Sequence, residues 1–426
     1  MRKDYIRWEK LDNTALLFPV TAGENVSNVY RISVILKDNI QPDVLQGALD
    51  IVLPKFSGFD MRMRKGFFWF YFEENGKPAP RVKKEMHYPC QFIKQNKNRN
   101  YMFRVTYFGK RINLEVFHVI ADGAGAIQFL KELTYQYIRL LYPGLREEKG
   151  DDFSPETSLD REDSFVKNFK KSEARPYPKK RACQIKGHIM RTGKLGVIHG
   201  YIPVSQLTEV CKYYNASFNE YLVSAYIWSV YQYCKDDISE DSPLRVAVPV
   251  NLRPFYESQT TKNFFVMVSA EFVPESPYRD YTFKEVLETV RASLRSQINK
   301  EYLEKMLSYN VSNEMNIAAR AVPLVIKNLA IKSVYTSAAL ANSSTVTNIG
   351  CITVEDDYKK YIDRFHVMLP MSKGHDIKGA ICWYDDILAF TFTSILRETD
   401  IQKEFFRQLA KDGIAAEIES NGVYYG

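Results

Sequence analysis

One change of rhythm constrains this chain more than any other feature of its 426 residues. Through residues 111–118, Ile112, Leu114, Val116 and His118 alternate with polar neighbours, the period of two expected of a half-buried strand. From Gly125 the period changes. Ile127, Leu130, Leu133, Tyr137, Ile138 and Leu141 recur at steps of three and four, the stripe of an amphipathic helix. A strand must therefore become a helix across Ala121-Asp122-Gly123-Ala124-Gly125, a turn whose glycines allow tight bends and close backbone approach. His118 falls at the strand end. An imidazole there is held on a rigid element with one side open to a ligand. Asp122, four residues on, either approaches it directly as in a triad or anchors the turn.

The rest of the chain alternates the same two rhythms. Residues 1–20 read as a short element ending at Pro19, Val29–Leu36 as a strand, and residues 42–53 as a helix with proline in its first turn. Short aromatic runs span residues 67–72, which with Tyr335 are core or the lining of an apolar acceptor or acyl pocket, and residues 101–108 with 111–118 form a hairpin at Gly109-Lys110. After Tyr142-Pro143-Gly144 the composition shifts to charged and proline-containing sequence, the mark of a crossover. Strands are then expected at 195–202, 244–250, 264–273, 344–354, 365–369 and on both arms of a hairpin turning at Asp385-Asp386. Helices are expected at 205–214, 217–234, within 282–332 and at 400–410. Residues 317–332, apolar with flanking bases, read as a buried helix interrupted at Pro323, the alternatives being a segment that lies on a membrane or covers a hydrophobic substrate. Alternating strands and helices imply α/β or α+β layers. The division that follows is residues 1–160, a linker at 161–194, and residues 195–426.

Several functions are excluded or unsupported. No apolar run approaches the ~18 residues of a membrane span. The charged start, MRKDYIRWEKLDN, lacks the apolar core of a signal peptide. Six cysteines are scattered without a CxxC pair, which fits reduced thiols and a cytoplasmic setting better than disulfides or zinc. The formal charge of +7 suits an anionic partner, but no nucleic-acid motif accompanies it. Gly123 and Gly125 lack the third glycine of a nucleotide fingerprint. Gly-x-Ser-x-Gly is absent, and no clustered His/Cys set completes a metal site around His118 and Asp122. His87, His188, His199, His366 and His375 have no setting comparable to that of His118.

The order His118-x-x-x-Asp122-Gly123 resembles the signature of the CoA-dependent acyltransferase superfamily: chloramphenicol acetyltransferases, alcohol O-acetyltransferases, polyketide-associated acyltransferases and peptide-synthetase condensation domains. Many relatives write two histidines; here Phe117 takes the first place and the catalytic second histidine is kept. Three further segments resemble the superfamily in the same order: VPVNLRP at 248–254 followed by TTKNFF at 260–265, Thr347-Asn348-Ile349-Gly350, and Trp383-Tyr384-Asp385-Asp386. The resemblance is nearest to alcohol O-acetyltransferases.

It implies a two-domain α/β (α+β) sandwich of the chloramphenicol acetyltransferase kind, with an interdomain tunnel and His118 midway. His118 is then the general base for transfer of an acyl group, acetyl in the first instance, from acyl-CoA to the hydroxyl of an alcohol. Asp122 makes a structural ion pair with an arginine of the second half, for which Arg253 is the candidate. Asn263 and Asn348 either tie loops or hold substrate, and the Gly123 amide with side chains near Asn348 are candidate oxyanion donors. Acyl-CoA enters as a co-substrate; no permanently bound cofactor and no metal is implied. The alternatives are an acyl carrier protein as donor with an amine or hydroxyl acceptor, and a catalytically silent binding module.

Overall fold

The computed structural model describes residues 7–145, 161–173, 175–178, 180–238, 241–276, 279–315 and 322–425. The charged stretch that opens the expected crossover, Glu147 to Asp152, lies outside them. In the first part of the chain run β1 (Val29–Leu36), α1 (Pro42–Val52), β2 (Phe103–Phe108), β3 (Arg111–Phe117) and α2 (Gly123–Leu141). The second part begins with β4 (Gly196–Pro203), α3 (Phe218–Cys234), β5 (Leu244–Asn251), β6 (Phe265–Phe272) and α4 (Phe283–Gln297). It continues with α5 (Leu324–Leu340), β7 (Ser344–Cys351), β8 (Ile362–Met368), the hairpin β9 (Ile377–Tyr384) and β10 (Ile387–Ser394), and α6 (Asp400–Lys411).

Two sheets organise these elements. The smaller has the order β8-β1-β3-β2 followed by Lys83–Lys84, so β8 crosses from the second part of the chain to pair antiparallel with β1. The larger runs β6-β5-β7-β9-β10-β4 and ends on Glu417–Ser420; β7 is parallel to both of its neighbours. A third sheet pairs Phe70–Glu74 with Trp8–Lys10 and Met61–Lys65. One core gathers α1, α2 and the apolar face of the smaller sheet, through Leu45, Leu49, Ile112, Leu114, Phe129 and Leu133. The other lies between α3, α4, α6 and one face of the larger sheet, through Tyr226, Leu287, Ile381, Phe390 and Phe405.

The other faces of the two sheets meet each other, and this corrects the reading of β3 as half-buried. Asn113 and Glu115, the alternating polar residues that would face solvent, are fully enclosed. Glu115 pairs with Arg31 at 3.0 Å and with Arg104; Asn113 accepts from the Ser33 hydroxyl at 2.8 Å. His366 of β8 stacks on His199 of β4 with ring centroids 3.9 Å apart. Polar residues at a period of two announce a second environment, and here the polar side chains of β3 are satisfied by neighbours on their own sheet together with Glu85 and the Cys90 N–H.

Three further expectations change. The short element expected to end at Pro19 instead includes a helical turn, Phe18–Thr21, that runs through Pro19, with the proline near its start where the missing N–H costs nothing. The aromatics at Phe67 to Trp69 form the tip of the hairpin between Met61–Lys65 and Phe70–Glu74, with Phe67 72% exposed. α5 starts after Pro323, and far from being buried it leaves Val325, Ile326, Leu329 and Val334 exposed. No helix among the described residues is long and apolar enough to cross a membrane. All six cysteines are free.

Candidate active site

Asp122 decides where the strand-to-helix transition occurs. As the N-cap of α2 it accepts the Gly125 N–H at 3.2 Å, so the helix begins two residues before the apolar stripe does. Gly125 is obligatory for a reason of space: a β-carbon there would strike the backbone carbonyl of Thr261. The remaining valences of Asp122 hold the two parts of the chain together. Arg253 Nη1 and Nη2 reach its two oxygens at 2.8 and 3.2 Å, and the Phe264 N–H donates to it at 3.0 Å. Arg253 also donates to the carbonyls of Thr260 and Lys262. The Asp122 carboxylate is thus fully occupied by groups other than His118.

His118 follows the last residue of β3. Its N–H donates to the Asn28 carbonyl at 2.9 Å, and its ring stacks on Phe18 at 4.6 Å with Tyr30 and Phe265 on its flanks. Nδ1 lies 2.9 Å from Asn263 Oδ1. Which atom carries the proton follows from what else Asn263 does. Its Nδ2 faces two acceptors, the His118 carbonyl and Asp12 Oδ2, each at 3.1 Å. The amide oxygen is therefore the atom turned to the ring, and it can only accept. Nδ1 bears the hydrogen and Nε2 keeps the lone pair. Nε2 has no hydrogen-bond partner among the described residues, and His118 lines a cavity of about 370 Å³. Burial holds the imidazole below its ordinary range, partly opposed by the Asp122 carboxylate, so the ring is neutral at pH 7.

The cavity has walls from both parts of the chain, with Tyr30 and Gly123 on one side and Phe265, Thr347 and Asn348 on the other. Gly123 opens α2, where the first-turn N–H groups have no partner within the helix. Asn348 sits at a bulge of β7. Its Oδ1 accepts the Gly350 N–H at 2.9 Å and its Nδ2 reaches Asn219 at 3.3 Å. The structure therefore brings His118, Gly123, Asn348 and Arg253 to one cavity, with Asp122 on its wall and Asn263 behind the imidazole. The Asn263 amide is consumed by His118 and Asp12.

Two residues here, Asp12 and Lys378, escaped the sequence reading, and a third, His375, was set aside by it although it lines the same cavity as His118. Asp12 is buried, caps Ala15 at 2.7 Å and completes the line Asp12–Asn263–His118; burial raises its carboxyl to about 6. Its only sequence signal is that of a helix cap, Asp before Asn-Thr-Ala. His375 and Lys378 line the same cavity. A lysine inside the otherwise apolar strand IKGAICWY was the available sign of the latter.

No protein-family model and no curated protein matches this chain. Solved structures do, along nearly all of it. Polyketide synthase associated protein 5 from Mycobacterium tuberculosis is 14% identical, with 94% of this chain and 96% of that one covered and a TM-score of 0.59. TRI101 of F. sporotrichioides, complexed with coenzyme A and T-2, is 11% identical, with 97% and 99% covered and a TM-score of 0.63. The first condensation domain of the calcium-dependent antibiotic synthetase is 11% identical, with 96% and 99% covered and a TM-score of 0.57. At such identities the likeness carries the architecture: this chain has the mixed α/β, two-domain fold common to condensation domains and CoA-dependent acetyltransferases.

Proposed function

We propose that the protein is an O-acyltransferase that moves an acyl group, acetyl in the first instance, from an acyl-CoA thioester to the hydroxyl of an alcohol-type acceptor. One observation carries the reading. The imidazole of His118 is neutral, its tautomer is fixed by Asn263, and its unpartnered Nε2 belongs to a cavity walled by both parts of the chain. Such a ring takes the acceptor's proton as the oxygen attacks the thioester carbonyl; the tetrahedral intermediate then expels the thiolate, which recovers the proton from the imidazolium. General-base assistance of this kind contributes about a hundred- to ten-thousand-fold. Further stabilisation is assigned to the first-turn amides of α2 at Gly123, which face developing negative charge with the positive end of a helix dipole. Asp122 and Arg253 hold the motif in place and take no proton. A matched structure solved with coenzyme A and T-2 supports a CoA thioester as donor. Condensation domains among the matches make a loaded carrier protein the alternative donor.

The test is to incubate the purified protein with acetyl-CoA and pooled small alcohols and to follow thiol release. Release that depends on alcohol and is lost in His118→Ala supports the reading, and equal rates in both proteins remove the base. Turnover only with a loaded carrier protein selects the alternative donor, and none with either donor leaves a binding module.

A further inference from the structure

The cavity wall holds a cation that this chemistry does not use. Lys378 is the second residue of β9, and its side chain leaves the sheet on the face of Ala380 and Cys382, away from the core that takes Ile377 and Ile381. It is 6% exposed and lines the cavity with His118. The other buried cations each have a fixed partner. Arg31 meets Glu115, Arg161 and Lys262 meet Glu9, Arg245 meets Glu271, and Arg139 donates to the Tyr358 hydroxyl. Lys378 has no ion pair and no hydrogen bond among the described residues.

Its neighbours cannot supply one: Cys90, the group that would favour the charged amine, is a thiol that burial keeps protonated. His375 Nε2 donates to the Ala339 carbonyl at 2.8 Å, so Nδ1 accepts the Thr345 hydroxyl hydrogen at 2.9 Å, and that pair is closed on itself. Thr345 is the residue in register with Lys378 on β7. A buried amine without a partner is costly, and an apolar side chain of similar volume would fill the same place without that cost. The position is economical only when its counter-ion arrives from outside. We infer that Lys378 receives a carboxylate carried by the substrate, so that the molecule occupying this cavity is an acid with its reacting group toward His118. That the ligand is an acyl donor or acceptor rests on the function proposed above; the pairing with an anion does not. In the empty cavity burial brings the amine down to about 7, and an arriving carboxylate draws its proton back.

The carboxylate belongs either to the acyl chain or to the acceptor, and two arms separate these sources. In the first, succinyl-CoA is compared with butyryl-CoA, which has the same number of acyl carbons and no charge. In the second, 10-hydroxydecanoate is compared with its methyl ester, with acetyl-CoA as donor. Each pair is read twice, as kcat/KM and as the ligand-induced rise in Tm, which needs no turnover. A preference for the acid of about 10- to 100-fold in one arm, the range for a hydrogen bond to a charged group, is expected. Lys378→Met should abolish that preference and Lys378→Arg should keep part of it. Equal binding of acid and neutral partner in both arms, or a preference that survives in Lys378→Met, overturns the inference. If no substrate turns over, the acyl-transfer reading fails while the Tm comparison still decides for or against the anion site.

Discussion

His118 and His366 are the same side chain, the first with the Asp122 carboxylate beside it and the second among His199, Arg111 and Arg364, and of the two it is His118 that lines a cavity. Burial lowers the basicity of both. Each gives one nitrogen to a fixed partner: Nδ1 of His118 donates to Asn263, and Nε2 of His366 lies 2.8 Å from the Tyr201 hydroxyl, whose own hydrogen goes to Glu419 at 2.6 Å. Each therefore keeps a free lone pair on its second nitrogen. For His366 that atom, Nδ1, is enclosed between the two sheets with no partner, whereas for His118 the ring is part of a cavity wall. A depressed pKa and a fixed tautomer are thus not enough for a base. What separates the two is whether a reactant can stand before the lone pair.

The largest expected effect breaks the symmetry outright. His118→Ala should lower alcohol-dependent thiol release by about 10²- to 10⁴-fold with little change in Tm. His366→Phe should do the reverse: transfer stays intact, while loss of the Tyr201 hydrogen bond shifts stability by about 1 kcal/mol in urea unfolding. If both substitutions cut the rate alike, the distinction between the two rings collapses. Next comes the pair that holds the motif: Arg253→Ala leaves the Asp122 carboxylate enclosed without its cation and should cost about 3–5 kcal/mol in urea unfolding. A loss below 1 kcal/mol, within the range of an exposed pair, would mean that the contact is ornamental to the fold.

A smaller effect tests orientation. Asn263→Ala removes one hydrogen bond from the imidazole and should reduce kcat by about 10- to 100-fold, mostly without change in KM. Because that hydrogen bond favours the charged ring, the acid limb of the pH profile should also move lower in the variant. An unmoved limb would separate Asn263 from the titrating group. In the wild type the limb should lie below the ordinary imidazole value of ~6.5, with activity level above it.

The smallest effect is on stability against pH. His199, His375 and His366 are all held neutral by burial, the first two at about 3 and about 4. Below the unfolded value of ~6.5 the unfolded chain binds more protons than the folded one, so their stability is present at neutral pH and is lost as pH falls. His118 is lowered in the same sense, as is Lys378, brought down to about 7, whereas Asp12, raised to about 6, and the raised carboxyls of Asp60, Glu132 and Asp376 bind protons more readily in the folded state and work in the opposite direction on acidification. Between pH 7 and pH 5 the Tm of His366→Phe should fall less, or rise more, than that of the wild type; identical pH profiles of Tm would contradict the assignment of this ring as neutral.

The chain's own pattern determined a good deal. Period and capping are local, so the strand Val29–Leu36, the helix 42–53 and the turn before α2 could be read without tertiary contacts, and the resemblance of the His-x-x-x-Asp-Gly order to a known signature marked His118 and Asp122 as a unit. Distance along the chain set the limit. Asp12 and Asn263 are 251 residues apart and share one hydrogen-bonded line with His118 only after folding. The polar residues of β3 looked like a solvated face because alternation reports that two faces differ, not what covers the second. Lys378 looked like one lysine among many, since a missing partner can be recognised only when every neighbour is in place. Side-chain period is a property of consecutive residues, while the contents of a cavity depend on which distant segments the packing of two sheets brings together, and that packing set how Asn263 holds the His118 ring and that Lys378 lines the same cavity.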